Sequence, residues 1–474
     1  MPVPASSGNT EKFIKMTTEP VEKLILGLAF PSIMIMIISA VYNVVDTYFV
    51  ASLGTSAVAA IGIAFPLMNI ISAMGFSFGQ GSGNYMARAL GARDTEGAAR
   101  MAATGLVTSI ITMGVIALGL ILGLGPLVNA LGATPTIKPY AMDYIFFILL
   151  ASPWMVAATV LNQQLRFQGS AAMALVGIMA GVFLNVILAP LFIFVFKWGV
   201  KGAGAATMAA QMTSFLMLFF YSATRKGNIA IKLTLFSPSV ARYKEMFRGG
   251  IPALIRQGLM SIANIIINHF AGGYGDAAIA AISIVNRIVM LANSVMLGFG
   301  QGFQPVCGFN YGAKLYSRVR KAFWFSVKVA CIGLFTIAIF LAIFAPHIIA
   351  LFRKDDGEVI AIGSRALRLN CISLPFTGFI VMCNMITQTM GKALEASIVA
   401  TSRQGLMLIP ALFILRPLLG LLGIQLATPV SDMASLIIVI PIMVMVLKQI
   451  SVPDGTKDDS GFKMHAHPVV SHME

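Results

Sequence analysis

The sequence predicts an all-α polytopic membrane protein with twelve transmembrane helices in two six-helix bundles, and the bundles are parallel repeats of one another. Three observations predict this fold class: the composition, the recurrence of long apolar runs, and an internal repeat. Of the 474 residues, 58% are hydrophobic and only 11% are charged, whereas a soluble domain carries about 25% charged residues. A soluble fold could not bury this much apolar surface.

Apolar runs of about twenty residues recur along the whole chain, and each can cross a hydrocarbon core of about 30 Å as a helix. The predicted spans are residues 24–50, 56–82, 98–125, 140–164, 171–196, 202–223, 250–271, 277–303, 321–350, 367–389, 395–415 and 423–447. The first span follows a polar tail. It is too long for a signal peptide and lacks a small-residue cleavage site.

The distribution of lysine and arginine predicts the orientation. An even number of spans places both termini on one side of the membrane, and loops on that side hold about 22 of the 33 basic residues. Because cytoplasmic loops are enriched in basic residues, we expect a multi-pass protein of the plasma (inner) membrane with both termini in the cytoplasm. The basic residues are scattered among short loops, which argues against nucleic-acid binding.

The chain contains an internal repeat. The segment "LGTSAVAAIGI" at Leu53 matches "YGDAAIAAISI" at Tyr274, and "FGQG" occurs at both Phe78 and Phe299, so that both pairs are 221 residues apart. Further pairs spaced by 221 or 222 residues continue along the chain. Each half therefore holds six spans, and because six is even the two halves cross the membrane in the same direction.

The predicted organisation has five parts. They are a cytoplasmic N-terminal tail (1–21), an N lobe of helices 1–6 (22–223), a basic cytoplasmic linker (224–249), a C lobe of helices 7–12 (250–448) and a cytoplasmic C-terminal tail (449–474). Transporters built from parallel repeats hold their substrate near the membrane midplane between the halves, and rocking of the halves gives alternating access.

Asp46 is a carboxylate inside the first apolar span, in the stretch "VYNVVDTYFV". An ionisable residue in a span costs about 3 kcal/mol or more unless it faces a cavity or a partner, so a functional role is the default interpretation. The alternative is an aspartate near the helix end that contacts the outer headgroups. Its repeat partner is Ile267, so the carboxylate is an addition to one half of the scaffold.

Four motifs, taken together, resemble the multidrug and toxic compound extrusion (MATE) family of cation-coupled exporters, in its bacterial multidrug-exporter branch. They are "YNVVDTYFVASLGTSAVAAIGIAFPL", "GQGSGNYMARALGA", "LRFQGS" and "GQGFQPVCGFNYGA", in this order along the chain. The resemblance covers essentially all of residues 20–450. It implies a V of two six-helix bundles around a central cavity, and export of organic cations in exchange for protons or sodium ions.

The resemblance also implies roles for individual residues. Asp46 matches the helix-one carboxylate that the family uses for ion coupling. Asn185 and Thr207 match an asparagine and a threonine that complete a sodium site in some members, but Ala189 stands where those members have a second aspartate. Pro31 matches a helix-one proline that is associated with bending, and a proline near the start of a helix is otherwise benign.

The coupling ion follows from which carboxylates the sequence lacks. A sodium site prefers several hard oxygen ligands, so the loss of one carboxylate at position 189 weakens it, whereas a single carboxylate is enough to carry a proton. The alternative family site, with acids in helices seven and ten, has no Asp or Glu here. We therefore expect proton coupling in preference to sodium coupling, with sodium at Asp46 as the alternative.

Polar residues within the spans are the candidates for lining the cavity: Tyr42, Asn43, Asn162, Asn264, Asn384 and Asp432. Each asparagine is equally suited to hydrogen bonds between helices. Asp432 is the other acid well inside a span, and it suits either attraction of cationic substrates or a structural hydrogen bond. Because buried arginines need partners, Arg256 and Arg287 are candidates to pair with it.

The predicted function is secondary active multidrug efflux by an antiporter that exports organic, mostly cationic compounds in exchange for inward protons or sodium ions. Two alternatives are a lipid-linked precursor flippase of the same wider superfamily and a non-transporting receptor or scaffold. Flippases commonly have cavity-lining arginines and extra helices, so twelve spans and an acidic first helix favour the exporter. The acid within a span and the two-lobe repeat disfavour the scaffold.

An enzyme is not expected. The sequence contains neither a GxxxxGK[ST] phosphate loop nor an HExxH motif, and its four cysteines lack CxxC spacing. We therefore expect no catalytic residues, no cofactor and no metal site other than sodium at Asp46. The expected partners are small-molecule organic cations and drugs and the lipid bilayer, and the expected assembly is a monomer.

Overall fold

The structure is a computed structural model. It describes residues 7–51, 53–224, 229, 231–352 and 356–451, with the side chains of residues 7–9, 40, 41, 43–48, 51, 55 and 276 outside the description. The backbone of Asp46 and Asn43 is therefore described, but their side chains lie outside the described part of the chain.

All regular structure in the described residues is helical. The N-terminal half contains α1 (Ser7–Thr18), α2 (Val21–Ala51), α3 (Thr55–Gly91), α4 (Thr95–Leu122), α5 (Leu124–Ala130), α6 (Lys138–Phe167), α7 (Ala171–Pro190) with a π-helical turn (Leu191–Val195), and α8 (Val200–Ala223). The C-terminal half contains α9 (Val240–Gly272), α10 (Asp276–Gly312), α11 (Tyr316–Ile343), α12 (Ala345–Ala350), α13 (Gly357–Thr389), α14 (Ala393–Thr401) with a π-helical turn (Ser402–Met407), α15 (Leu408–Leu419) and α16 (Leu421–Gln449). A short 3₁₀ turn, Leu233–Leu235, lies between the halves.

Twelve helices of the described residues are long and apolar enough to cross a membrane, when the fifth and eleventh are followed through their π-helical turns. The predicted number of spans and the all-α fold class are therefore confirmed. Several helices are longer than the apolar runs that predicted them, and α3 and α10 continue to Gly91 and Gly312. Both end just before a residue with left-handed backbone, Arg93 (φ 63°) or Lys314 (φ 58°), which turns the chain into the next helix.

The internal repeat is visible in the backbone. Three glycines of each half have positive φ at repeat-equivalent turns: Gly54, Gly169 and Gly199, and Gly275, Gly391 and Gly420. The φ angles of Gly169 and Gly391 are 77° and 79°, a left-handed conformation that side chains with a Cβ atom rarely adopt. The same turn chemistry therefore recurs at the same place in both six-helix units, which we call the N lobe (α2–α8) and the C lobe (α9–α16).

The lobes contact each other near the end of the molecule that carries the chain termini and the linker. There α2 packs on α10 and α3 packs on α9. A Cβ atom at Gly302 would lie 2.4 Å from the backbone nitrogen of Ala29, and one at Gly81 would lie 2.1 Å from the carbonyl oxygen of Met246. Glycine thus permits backbone-to-backbone contact at two crossings that the repeat relates to each other.

Helix α1 lies within the expected N-terminal tail and contacts both lobes. The ammonium of Lys12 donates to the hydroxyl of Ser170 at 2.5 Å, in the turn that follows α6 of the N lobe. The amide of Asn310 on α10 donates to the carbonyl of Met16 at 3.1 Å. This short helix therefore bridges the two lobes at their closed end.

Candidate functional site

The interior of the N lobe contains polar side chains that are fully buried. Asn185 on α7 and Thr207 on α8 are 0% and 1% exposed. Among the described residues, no hydrogen-bond partner exists for either atom of the Asn185 amide or for the Thr207 hydroxyl. Each unsatisfied buried group costs about 1–3 kcal/mol. We call these two residues, which lie on helices that pack against each other, the N-lobe cluster.

Small residues let α7 and α8, the helices that carry this cluster, pack closely against each other. A Cβ atom at Gly181 would lie 2.6 Å from the carbonyl oxygen of Ala210, so only glycine allows the approach. Ala189 follows Asn185 by one helical turn and is also fully buried. The position that carries an aspartate in the sodium-binding pattern is therefore a small apolar surface on the same helix face as Asn185.

The first span, α2, packs against α7, the helix that carries Asn185. The backbone of Asp46 lies in the last third of α2, and its side chain is outside the described residues, as is that of Asn43. Tyr42, one turn earlier, is half-buried. Pro31 lies inside α2, where its missing N–H leaves the carbonyl of the preceding turn without its helical bond. That Asp46 completes the cluster remains a prediction.

The C lobe holds a buried ion pair. The Nε of Arg403 lies 2.5 Å from Oδ1 of Asp432, and the hydroxyl of Ser373 donates to Oδ2 at 2.8 Å. The side chain of Asp432 is 2% exposed and that of Arg403 is 17% exposed. Arg403 lies in the π-helical turn between α14 and α15, and such turns are frequent at functional sites.

The expected arginine partners of Asp432 were wrong. Arg287 on α10 is exposed. Arg256 on α9 donates from Nη1 to Oδ1 of Asn384 at 3.1 Å. Sequence patterns rank residues by type and depth but give no distances, so they could not choose between arginines. Arg403 was missed altogether, although an arginine ten residues into the eleventh span was itself the signal.

Two asparagines expected in the cavity are used to join neighbouring helices. The amide of Asn162 donates to the carbonyl of Ala174 at 3.1 Å, and that of Asn384 donates to Ala396 at 2.8 Å. The two bonds are repeat equivalents, since both partners are 222 residues apart. Both side chains are 4% exposed, so we assign them a structural role. Asn264, on α9, is exposed.

Hydrogen bonds between the lobes cluster at the closed end. Arg88, at the end of α3, donates from Nη1 to the carbonyl of Thr389 at 2.6 Å, and its Nη2 lies 3.3 Å from Oε2 of Glu245. Nearby, Nε2 of Gln304 donates to Oε1 of Gln80 at 3.1 Å. Gln80 therefore serves the packing of the two lobes against each other.

A second arginine, Arg166, crosses the same interface. Its guanidinium donates to the side-chain oxygen of Gln163 at 2.6 Å and to that of Gln301 on the opposite lobe. Arg166 is 2% exposed. The closed end therefore contains two buried guanidinium groups that would meet water if the lobes separated there.

Comparison with known proteins places this geometry in a family. The MatE family model matches residues 31–191 and 252–414, one match in each lobe. The multidrug export protein MepA of Staphylococcus aureus is 28% identical over 423 residues, which cover 87% of this chain and 91% of that protein. MepA of Staphylococcus haemolyticus is 26% identical over 404 residues, covering 85% of this chain and 88% of that protein.

Solved structures of similar proteins have the same fold. One described as the outward-facing conformation of a multidrug resistance MATE family transporter of the MOP superfamily superposes with a TM-score of 0.87 at 27% identity. The match covers 93% of this chain and 98% of that one. The family model covers each lobe, the relatives cover nearly the full chain, and the helices superpose throughout. The chain therefore belongs to the MATE (MatE) family of transporters.

Proposed function

We propose that this protein is a multidrug efflux antiporter, which exports organic, mostly cationic compounds in exchange for inward protons by rocker-switch alternating access. The observation that carries the proposal is the pair of buried polar side chains Asn185 and Thr207, which have no hydrogen-bond partners among the described residues, on helices next to α2, the helix that carries Asp46. A carboxylate that faces this cluster can bind a cation in one state and release it in another. The names of the similar proteins support multidrug export as the activity.

The closed end supports one half of a transport cycle. Both lobe crossings and the Arg88–Thr389 bond lie at the end of the termini and linker. If the positive-inside rule holds, that end is cytoplasmic, and this structure is closed to the cytoplasm in the plasma (inner) membrane. Export then requires these contacts to separate so that substrate enters, and to re-form so that it leaves outward.

Two observations favour protons over sodium. Ala189 removes a carboxylate from the N-lobe cluster, and sodium needs several hard oxygen ligands. In the C lobe, Asp432 is neutralised by Arg403, so this carboxylate has no need of an inorganic cation. Asp46 is then the carboxylate that couples export to the gradient, and a proton is the ion that one carboxylate can carry alone.

The test uses the purified, full-length protein in proteoliposomes loaded with ethidium. Export driven by an imposed proton gradient, with no response to an imposed sodium gradient, supports the proposal. Export driven only by sodium would reassign the ion, and ethidium movement under neither gradient would contradict antiport. Asp143→Asn is the matched control for the variant Asp46→Asn. The Asp143 carboxylate lies at the surface, where it pairs with Lys201 at 3.4 Å.

A further inference from the structure

Arg256 lies just beyond the point where the lobes close. On α9, Gly250 meets α3 so tightly that a Cβ atom there would lie 2.4 Å from the carbonyl oxygen of Ser77. Arg256 follows Gly250 by six residues, or about 9 Å along a helix that rises 1.5 Å per residue. It is therefore placed about 9 Å from this contact, on the side of α9 away from the linker.

The guanidinium of Arg256 is held in one direction and lacks a counter-ion. Its Nη1 donates to Oδ1 of Asn384 at 3.1 Å, and Asn384 is itself fixed by its bond to the carbonyl of Ala396. Among the described residues, no carboxylate oxygen lies within 4.0 Å of Arg256. The side chain is nevertheless partly accessible, so most of its five N–H donors remain available to a ligand.

Arg403, in the same lobe, is an arginine with a structural role. Its Nε lies 2.5 Å from Oδ1 of Asp432, so its charge is neutralised within the protein. A charge inside a membrane span is costly unless a partner or a water-filled cavity compensates it. Among the described residues Arg256 has no acid of its own, so its charge is left to water in a cavity or to an anionic ligand.

The repeat indicates that the scaffold does not require this charge. The residue 221 positions before Arg256 is Ile35, which is buried at the equivalent place on α2. Asp46 has the converse relation, since its equivalent in the C lobe is Ile267 on α9. The first helix of one lobe thus carries an added acid, and the first helix of the other carries an added base.

We propose that Arg256 recognises an anionic group of the transported compound, so that the organic, mostly cationic compounds that this protein exports include zwitterionic amphiphiles with a carboxylate or a similar anion. This inference rests on the proposed export function and specifies its substrate class. A planar guanidinium pairs with a carboxylate through two parallel hydrogen bonds, which a lysine ammonium cannot reproduce. Asn384 holds one edge of the guanidinium and leaves the rest available.

The experiment compares two dyes that differ only at one carboxyl group: a rhodamine with a free carboxylate, and its methyl ester. Their binding to the full-length protein is measured by fluorescence in proteoliposomes without any ion gradient. Arg256→Gln should weaken binding of the carboxylate dye by about 10- to 100-fold, the range for a lost hydrogen bond to a charged group, and leave the ester unchanged. Arg256→Lys should restore only part of the loss.

Arg287→Gln is the matched control, because Arg287 is an exposed arginine on the neighbouring α10, and it should alter binding of neither dye. An equal loss for both dyes would show that Arg256 acts only in packing. An unchanged affinity for the carboxylate dye in Arg256→Gln, or failure of the wild-type protein to bind that dye, would overturn the proposal. Because no gradient is applied, failure of ion coupling would leave this result unaffected and is tested separately.

Discussion

The Nε of Arg403 lies 2.5 Å from Oδ1 of Asp432 in the middle of the C lobe. The Arg403 guanidinium neutralises the Asp432 carboxylate in place of a bound cation. The corresponding interior of the N lobe has buried polar atoms on Asn185 and Thr207 without partners among the described residues. One scaffold, used twice, has thus produced a neutralised interior in one lobe and an incomplete one in the other.

Removal of Arg403 should destabilise the protein more than removal of the whole ion pair. Arg403→Met leaves the Asp432 carboxylate buried with Ser373 as its remaining partner, and breaking a buried pair costs about 3–5 kcal/mol. The double variant Arg403→Met/Asp432→Leu should recover part of this loss. Thermal unfolding in detergent measures both effects.

The control for this prediction is Arg416→Met, in the same span, where the guanidinium lies 4.3 Å from the centroid of the Phe270 ring. Loss of that contact should cost only about 1 kcal/mol. A double variant as unstable as the sum of the two single variants would show that Arg403 and Asp432 do not stabilise each other.

Asp46→Asn should abolish gradient-driven export and leave the protein folded. Asparagine has the shape of the protonated carboxyl but cannot release a proton, and a ligand that binds two states equally cannot shift their balance. Substrate binding without a gradient should be retained. Ethidium efflux from proteoliposomes measures the loss, and full transport by a well-folded Asp46→Asn protein would place the coupling site elsewhere.

Ala189→Asp should introduce sodium dependence. Position 189 is fully buried one turn from Asn185, so an added carboxylate supplies the hard oxygen that the cluster lacks. Export under an imposed sodium gradient should appear in this variant but not in Ala189→Asn, which adds similar volume without the charge. If both variants fold and respond alike to sodium, position 189 does not face the ion.

Gly312→Ala should open the closed end. A Cβ atom at position 312 would lie 2.0 Å from the carbonyl oxygen of Arg88, and backbone cannot yield as a flexible side chain does. A cysteine introduced at Gln304, in a background without native cysteines, should then react faster with a membrane-impermeant maleimide from the linker side. Gly114→Ala is the control, because a Cβ atom there meets nothing within 4 Å. Equal labelling rates in both would contradict the prediction.

Docking of α1 should strengthen as the pH rises from about 8 to 10.5. Burial, assisted by the charge of Lys15, lowers the pKa of Lys12 from 10.5 to about 8. Docked α1 therefore holds fewer protons than free α1 in this interval, so alkaline pH favours the docked form. Below pH 8 the lysine is protonated in both forms and its burial opposes docking.

Distances between spin labels on α1 and α10, measured across this pH range, report the docked fraction. In Lys12→Met, α1 should dock more tightly and its docking should no longer depend on pH. The contact of Arg93, in the turn between α3 and α4, with the Phe13 ring is retained in this variant. Lys23→Met is the control, since Lys23 is an exposed lysine outside α1. A pH response that survives Lys12→Met would assign it to another group.

The number of spans, the repeat and the family could be predicted from the sequence, because hydropathy and motif spacing are local properties of the chain. The repeat also contains the signal for one hydrogen bond that occurs in both lobes. Asn162 and Asn384 each precede an alanine by twelve residues, at Ala174 and Ala396, and such a conserved internal spacing is typical of a shared structural bond.

The partners of the buried charges could not be predicted in the same way. Asp432 had several arginines within the same lobe, and the choice of Arg403 depends on how α14, α15 and α16 pack. Likewise, the apolar runs end where the lipid ends, whereas α3 and α10 continue until a left-handed residue stops them. Pairing and helix ends are decided by tertiary contacts that composition does not record.

The bridging position of α1 has a consequence for biosynthesis. Helix α1 is translated before either lobe, but its binding surface includes Asn310, which lies near the end of α10, the second helix of the C lobe. A segment made before both lobes is therefore completed in its docking only after the N lobe and α9 have been made. A nascent chain that stalls before α10 leaves α1 undocked on that side, so the position of α1 reports whether the chain has been inserted as far as α10.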